Sequence, residues 1–237
     1  MQVRTRRGFL GAVAAVAVAS SVGACGGRGG AGARRDDPLD VPAGAHLPAA
    51  RESVAADGTT IVIGDPSAAL SVRLYEDLSC PACAEFELEG TGPYLKRAAR
   101  NDALQLQFTL GSFLGPGSKF AANALRAAVD RNKFTEYHEV LYRHQARMRR
   151  SGGFTRDRLL ALADTVPGLR GPEFDAAVRE TAHREFVEAS DRALDASGVT
   201  STPTMAINGA LVTSGGRGLY EDRDRLHHRL RKAAAPR

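Results

Sequence analysis

Apolar and polar side chains alternate without a break over residues 104–110, in the order Leu-Gln-Leu-Gln-Phe-Thr-Leu. A period of two sustained over seven residues predicts a strand that buries one face. Two shorter strand-like runs come before it, at 60–63 and 70–75, separated by the turn signal Gly64-Asp65-Pro66-Ser67. After the second run the pattern turns helical. A helix should begin at Cys80, break at Gly90-Thr91-Gly92-Pro93 and resume from Tyr94 to Arg100. This β-α-β order leaves a crossover long enough for parallel strands. From about Lys119 to Ser197 the patterns are helical, with breaks near Asn132, at Ser151-Gly152-Gly153 and at Pro167-Gly168. Phe134, Tyr137, His138 and Leu141 fall at i, i+3, i+4 and i+7 and share one helix face. No second metal-binding side chain stands at a useful spacing from His138, so a packed, hydrogen-bonded core histidine is expected there. Near the end, residues 204–207 and 210–213 flank Asn208-Gly209, a strong hairpin signal because a type I′ turn needs positive φ at both central residues. A last helix is expected from about Leu219 to Lys232.

The first 24 residues follow none of these periods. A basic stretch, Arg4-Thr5-Arg6-Arg7, leads into an apolar run from Phe9 to Val22 and then small residues up to Cys25. This is the plan of a secretory signal peptide, and its apolar part is short of the ~20 residues that a permanent span requires. Thr5-Arg6-Arg7-Gly8-Phe9-Leu10 resembles the twin-arginine export signal, with the general secretory route as the alternative. Val22-Gly23-Ala24-Cys25 resembles a lipobox, which implies diacylglycerol on the Cys25 thiol and attachment to the outer face of the bacterial cytoplasmic membrane. Residues 25–58, rich in Gly, Ala, Pro and charge and without sustained period, are expected to form a flexible tether. The folded domain is therefore expected over 59–237, with a helical segment at about 117–197.

Composition narrows the function classes. Of the 237 residues 43% are hydrophobic and 25% charged, which excludes wholesale disorder and a polytopic membrane protein. Three of the basic residues behind the formal charge of +5 lie in the leader, so the surplus left to the domain does not argue for nucleic acid. Arg143, Arg147, Arg149 and Arg150 are expected to be a solvated face, with anionic lipid headgroups as the other reading. His227 and His228, adjacent on the last helix, point different ways, and at least one should meet solvent.

Of the three cysteines, Cys25 is set aside by the leader, and Cys80 and Cys83 remain as a pair. Cys80-Pro81-Ala82-Cys83 places two thiols on the first turn of a helix, close enough to join. The first sulfur meets free N–H groups and the positive end of the helix dipole, which favour a thiolate, the species that attacks disulfides. Pro81 fits because a proline in the first turn removes an N–H that no carbonyl awaits. A structural disulfide is disfavoured, since so short a ring removes little unfolded-state entropy. A zinc knuckle would need two more ligands, and the sequence carries no second CxxC. Inert buried thiols fit poorly outside the cytoplasm, where oxidising conditions would join them.

The stretch 75–83, Tyr-Glu-Asp-Leu-Ser-Cys-Pro-Ala-Cys, together with 198–209, Gly-Val-Thr-Ser-Thr-Pro-Thr-Met-Ala-Ile-Asn-Gly, resembles the DsbA-like thiol:disulfide oxidoreductases of the thioredoxin superfamily. The likeness spans roughly 60–237. It implies an α/β thioredoxin fold with a helical insertion between the βαβ unit and the C-terminal ββα unit. It further implies a cis Pro203 beside the sulfurs and an edge position for the 104–110 strand. Cys80 is then the nucleophile that carries the mixed disulfide and Cys83 resolves it. Pro81, Ala82, Thr202 and Pro203 support the site, and Thr202 with Pro203 shapes a substrate groove. No cofactor is expected beyond the Cys80–Cys83 disulfide, and no metal. The implied activity is introduction of disulfides into reduced exported proteins by an exported monomer, reoxidised by a membrane quinone-linked thiol oxidase. A disulfide reductant or isomerase, and a lipoprotein binding module on a thioredoxin scaffold, are the alternatives. Two departures bear on the chemistry: Ala82 stands where many members carry a thiolate-stabilising histidine, and Leu74 where many carry a buried acid. Glu76, Asp77 and Glu85 are nearby in sequence, and which group moves the Cys83 proton is left open.

Overall fold

The computed structural model describes residues 37–212 and 217–235. The expected leader, Cys25, the start of the expected tether and Thr213 lie outside them.

Six strands form one sheet: β1 (Glu52–Val54), β2 (Ile61–Ile63), β3 (Ser71–Asp77), β4 (Gln105–Gly111), β5 (Thr204–Ile207) and β6 (Ala210–Leu211), in the spatial order β1-β2-β4-β3-β5-β6. β3 and β4 run parallel from Ser71↔Gln105 to Asp77↔Gly111, joined by α1 (Pro81–Leu88) and α2 (Gly92–Arg100). β5 lies antiparallel on the other side of β3, with Leu74 opposite Met205. Asn208 and Gly209 turn the β5–β6 hairpin with φ of 48° and 79°, the positive pair that the Asn-Gly signal predicts.

β4 is thus an interior strand, not an edge. Its alternation reports which face is buried and carries no information on how many neighbours it has. Leu106, Phe108 and Leu110 are buried on the face shared with Val72, Leu74, Met205 and Ile207, while Gln107 on the opposite face accepts from Arg73 Nε at 3.0 Å. The place beyond β4 is taken by β2, antiparallel to it, and then by β1.

Between β4 and β5 lie α3 (Pro116–Val129), α4 (Phe134–Arg150), α5 (Arg156–Ala163), α6 (Pro172–Glu180) and α7 (Arg184–Ala196), the helical insertion expected from the sequence. Phe134, Tyr137, His138 and Leu141 of α4 do share a buried face, and the Phe134 ring packs at a tilt against Phe108 of β4, centroids 5.1 Å apart. Arg143, Arg147, Arg149 and Arg150 are exposed. The expected last helix is two, α8 (Arg217–Glu221) and α9 (Arg223–Ala234). The break comes at Asp222, whose carboxylate accepts from the N–H groups of Asp224 and Arg225 and so starts a new helix. His227 is half-buried against Tyr94 and Asp37, and His228 is exposed.

Residues 37–58 are not a free tether. Leu39, Val41 and Ala50 are buried, β1 joins the sheet, and Arg100 of α2 donates to the carbonyls of Leu47 and Pro48. Glu52 accepts from the N–H groups of Phe134 and Thr135 and so caps the start of α4. The segment is held by isolated apolar anchors and side-chain-to-backbone bonds, which leave no period in the sequence. No helix among the described residues is long and apolar enough to cross a membrane.

Candidate active site

β3 ends at Asp77, and the chain turns once to enter α1 at Cys80. Asp77 builds that turn: its carboxylate accepts from Ser79 N at 2.8 Å, Leu114 N at 3.0 Å and Ser118 Oγ at 2.6 Å. Its carbonyl accepts from Cys80 N at 2.9 Å. Cys80 is the N-cap residue, with extended φ and ψ of −79° and 118°, and Pro81 occupies the first helical position. Gln145 of α4, a residue the sequence did not single out, donates from Nε2 to the Cys80 carbonyl at 2.6 Å in the core and so fastens the cap to the insertion.

The two sulfurs have opposite surroundings. Cys80 keeps 8% of its surface exposed and Cys83 none. The Cys80 thiol is pulled down to about 5, chiefly by the hydrogen bond from Cys83, with Thr202 and the backbone N–H groups of Cys83 and Ala82 adding to it against the opposing effect of burial. Burial pushes Cys83 far up, reinforced by its bond to Cys80 and, wherever Glu76 ionises, by that carboxylate. At neutral pH the reduced pair is therefore one thiolate that reaches solvent and one thiol that does not.

The Thr202–Pro203 peptide is cis, as the resemblance implies. Thr202 O lies 3.4 Å from Cys80 Sγ, and Ala82 and Pro203 line the same cleft beside it. The five residues expected from sequence to surround Cys80, namely Pro81, Ala82, Cys83, Thr202 and Pro203, are thus gathered at one end of the sheet. Cys25 lies outside the described residues.

Behind Cys83 the core holds a cluster of ionisable groups. Glu76, on the same face of β3 as Leu74, accepts from Tyr142 Oη at 3.1 Å and lies 3.1 Å from His138 Nε2. His138 Nδ1 is 3.9 Å from Glu87 of α1, and Glu87 pairs with Lys96 of α2. Burial, reinforced by the Glu87 carboxylate, holds the Glu76 carboxyl well above the usual range. Burial, with the Lys96 charge nearby, keeps His138 far below its ordinary value and so neutral. His138 is hydrogen-bonded in the core as expected, but it has two acidic side chains for neighbours that its own helix could not reveal. One donor atom from each of Glu76, Glu87 and His138 lies within 4.8 Å of the others. The Lys96 ammonium already supplies a positive charge to that enclosure. Two signals pointed to these acids: Glu76 follows Leu74 at a period of two on a buried strand face, and Glu87 follows Cys83 at i+4 on a buried helix face.

A family model for thioredoxin matches residues 56–217, which takes in the Cys80–Cys83 pair, the insertion and the cis Pro203 loop. The chain belongs to the thioredoxin family. Solved structures place it beside the DsbA-like members of that family in fold. BdbD from Bacillus subtilis is 20% identical with a TM-score of 0.64, covering 79% of this chain and 98% of its own. MdbA from Corynebacterium diphtheriae, a thiol-disulfide oxidoreductase, is 23% identical with a TM-score of 0.58, covering 75% and 96%. DsbA from Mycobacterium tuberculosis is 19% identical with a TM-score of 0.58, covering 80% and 94%. No curated protein matches the chain. The fold it shares with these structures includes the helical insertion between the two halves of the sheet.

Proposed function

We propose that the chain is an exported thiol:disulfide oxidoreductase that introduces disulfides into reduced exported proteins. The observation that carries this reading is the asymmetry of the pair: a solvent-touching Cys80 held as thiolate against a buried Cys83 held as thiol. A low Cys80 value makes Cys80 a good leaving group and stabilises the reduced state, and both favour handing the disulfide on. A substrate thiolate attacks Cys80 Sγ, forming the mixed disulfide and breaking the Cys80–Cys83 bond; Cys83 leaves with the electron pair and takes up a proton. Glu76, whose buried carboxyl keeps its proton and whose ionisation is coupled to that of Cys83, is the acid suited to supply that proton. A second substrate thiolate then attacks its own mixed-disulfide sulfur, and Cys80 departs as thiolate. The substrate has lost two electrons and the pair has gained them. A membrane quinone-linked thiol oxidase would restore the disulfide, and diacylglycerol on Cys25 would hold the protein on the outer face of the cytoplasmic membrane where such a partner resides.

The test is stoichiometric transfer. The oxidised soluble domain, mixed with a reduced, unfolded two-cysteine protein, should lose its disulfide as the substrate gains one. Reduction of the substrate's disulfide by the dithiol form, with no transfer the other way, would replace this reading by the reductant.

A further inference from the structure

Beside Cys80 a cleft of about 620 Å³ runs between α1 and α8. α1 contributes Ala82, Glu85 and Phe86, and its C-cap Glu89 continues the stripe, at i, i+3, i+4 and i+7. Across from it stand Pro203, Val212 and Tyr220, with Glu221 at the rim. The walls are fixed to each other. Phe86 and Tyr220 meet edge to face at 5.5 Å, Tyr220 Oη accepts from Met205 N at 2.8 Å, and Thr91 donates from N and Oγ1 to the carbonyls of Tyr220 and Leu219. Gly90 permits this closeness, since a Cβ there would lie 2.5 Å from Tyr220 O.

The cleft has an apolar floor of Phe86, Pro203, Val212 and Tyr220, with Ser201 and Thr204 beside it, and an acidic rim. Glu85, Glu89 and Glu221 are exposed, and none is in an ion pair among the described residues. No lysine or arginine is among the described residues that line it, although the chain as a whole carries a formal charge of +5.

We propose that this cleft selects extended peptide segments that carry arginine or lysine within about three residues of the cysteine to be oxidised. The inference rests on the oxidoreductase reading and names its substrate class. From Ala82 to Glu89 the helix rises about 10 Å, which an extended peptide covers in about three residues. A substrate cysteine on Cys80 therefore lays its next few side chains along Phe86 and Tyr220. Basic side chains rest their aliphatic stems on that apolar floor and present their charge to Glu85, Glu89 and Glu221. Acidic side chains in the same place face repulsion, so the rim discriminates in both directions.

Three otherwise identical two-cysteine peptides, flanked by arginine, by alanine or by glutamate, test this against the oxidised protein in stopped flow. The arginine peptide should be oxidised about tenfold faster than the glutamate peptide at low ionic strength, the product of two or three exposed pairs of ordinary strength. The ratio should fall towards one in about 0.5 M sodium chloride, where screening reaches within a few ångströms. It should also collapse in the Glu85→Gln, Glu89→Gln, Glu221→Gln triple variant, with dithiothreitol calibrating the disulfide's own reactivity in both proteins. A ratio near one in the native protein, or a ratio that survives in the triple variant, overturns the proposal and leaves the oxidoreductase reading standing. Reduction by dithiothreitol with no exchange on any peptide overturns that reading itself.

Discussion

The reduced protein should be more stable than the oxidised protein at alkaline pH and less stable at acid pH, with a crossing near neutrality. Folding lowers the Cys80 value from the ~8.5 of an unfolded chain to about 5. A lowered value stabilises the folded dithiol fully above about pH 8.5, and the contribution is lost as pH falls through 5. It amounts to about 4 kcal/mol at pH 8.5, ~2.7 kcal/mol at pH 7 and ~0.4 kcal/mol at pH 5. Because Cys80 touches solvent these are upper values, which screening reduces by about a third. Against them stands the disulfide, whose four-residue ring removes about 1.9 kcal/mol of unfolded-state entropy at any pH. The two balance near about pH 6.4 without screening and between about pH 7 and 7.5 with it. Urea unfolding of the dithiol and disulfide forms from pH 5 to 8.5 measures the difference directly. An oxidised form more stable across the whole range would mean that Cys80 is not an activated thiolate.

Cys83→Ala should accumulate mixed disulfides through Cys80, visible on non-reducing gels, while Cys80→Ala should trap few; equal trapping would reverse the assignment of the two sulfurs. Glu76→Gln should become progressively more stable than the native disulfide form as pH rises from 5 to 8. A buried carboxyl with a raised value binds its proton in the folded state and loses stability with rising pH, by at most about 1.4 kcal/mol per unit. A difference between the two proteins that is the same at pH 5 and pH 8 would refute the raised value. Cys25→Ser should abolish metabolic lipid labelling without changing Cys80 reactivity, and labelling that persists would remove Cys25 as the anchor.

What the sequence disclosed was local punctuation. CPAC at a strand-to-helix junction, Thr-Pro before a strand and Asn-Gly between two strands each fix backbone geometry over a few residues, and all three are found where the pattern placed them. What it withheld was pairing and company. The alternation of β4 reports one buried face equally well for an edge strand or an interior one, and only the register with β2 decides. Residues 37–50 lack any period because they are held by Leu39, Val41 and bonds from Arg100 rather than by a repeating face. The buried cluster behind Cys83 draws Glu76, Glu87, Lys96 and His138 from a strand and three helices. None of these is unusual within its own element, and their meeting is a property of the tertiary fold alone.

The central claim is that the Cys80–Cys83 couple gives its disulfide away. Equilibrating the protein with glutathione buffers and quantifying the two redox forms yields its reduction potential. The lowered Cys80 value predicts a potential above about −200 mV, and a potential near about −270 mV would contradict the account and make the protein a reductant.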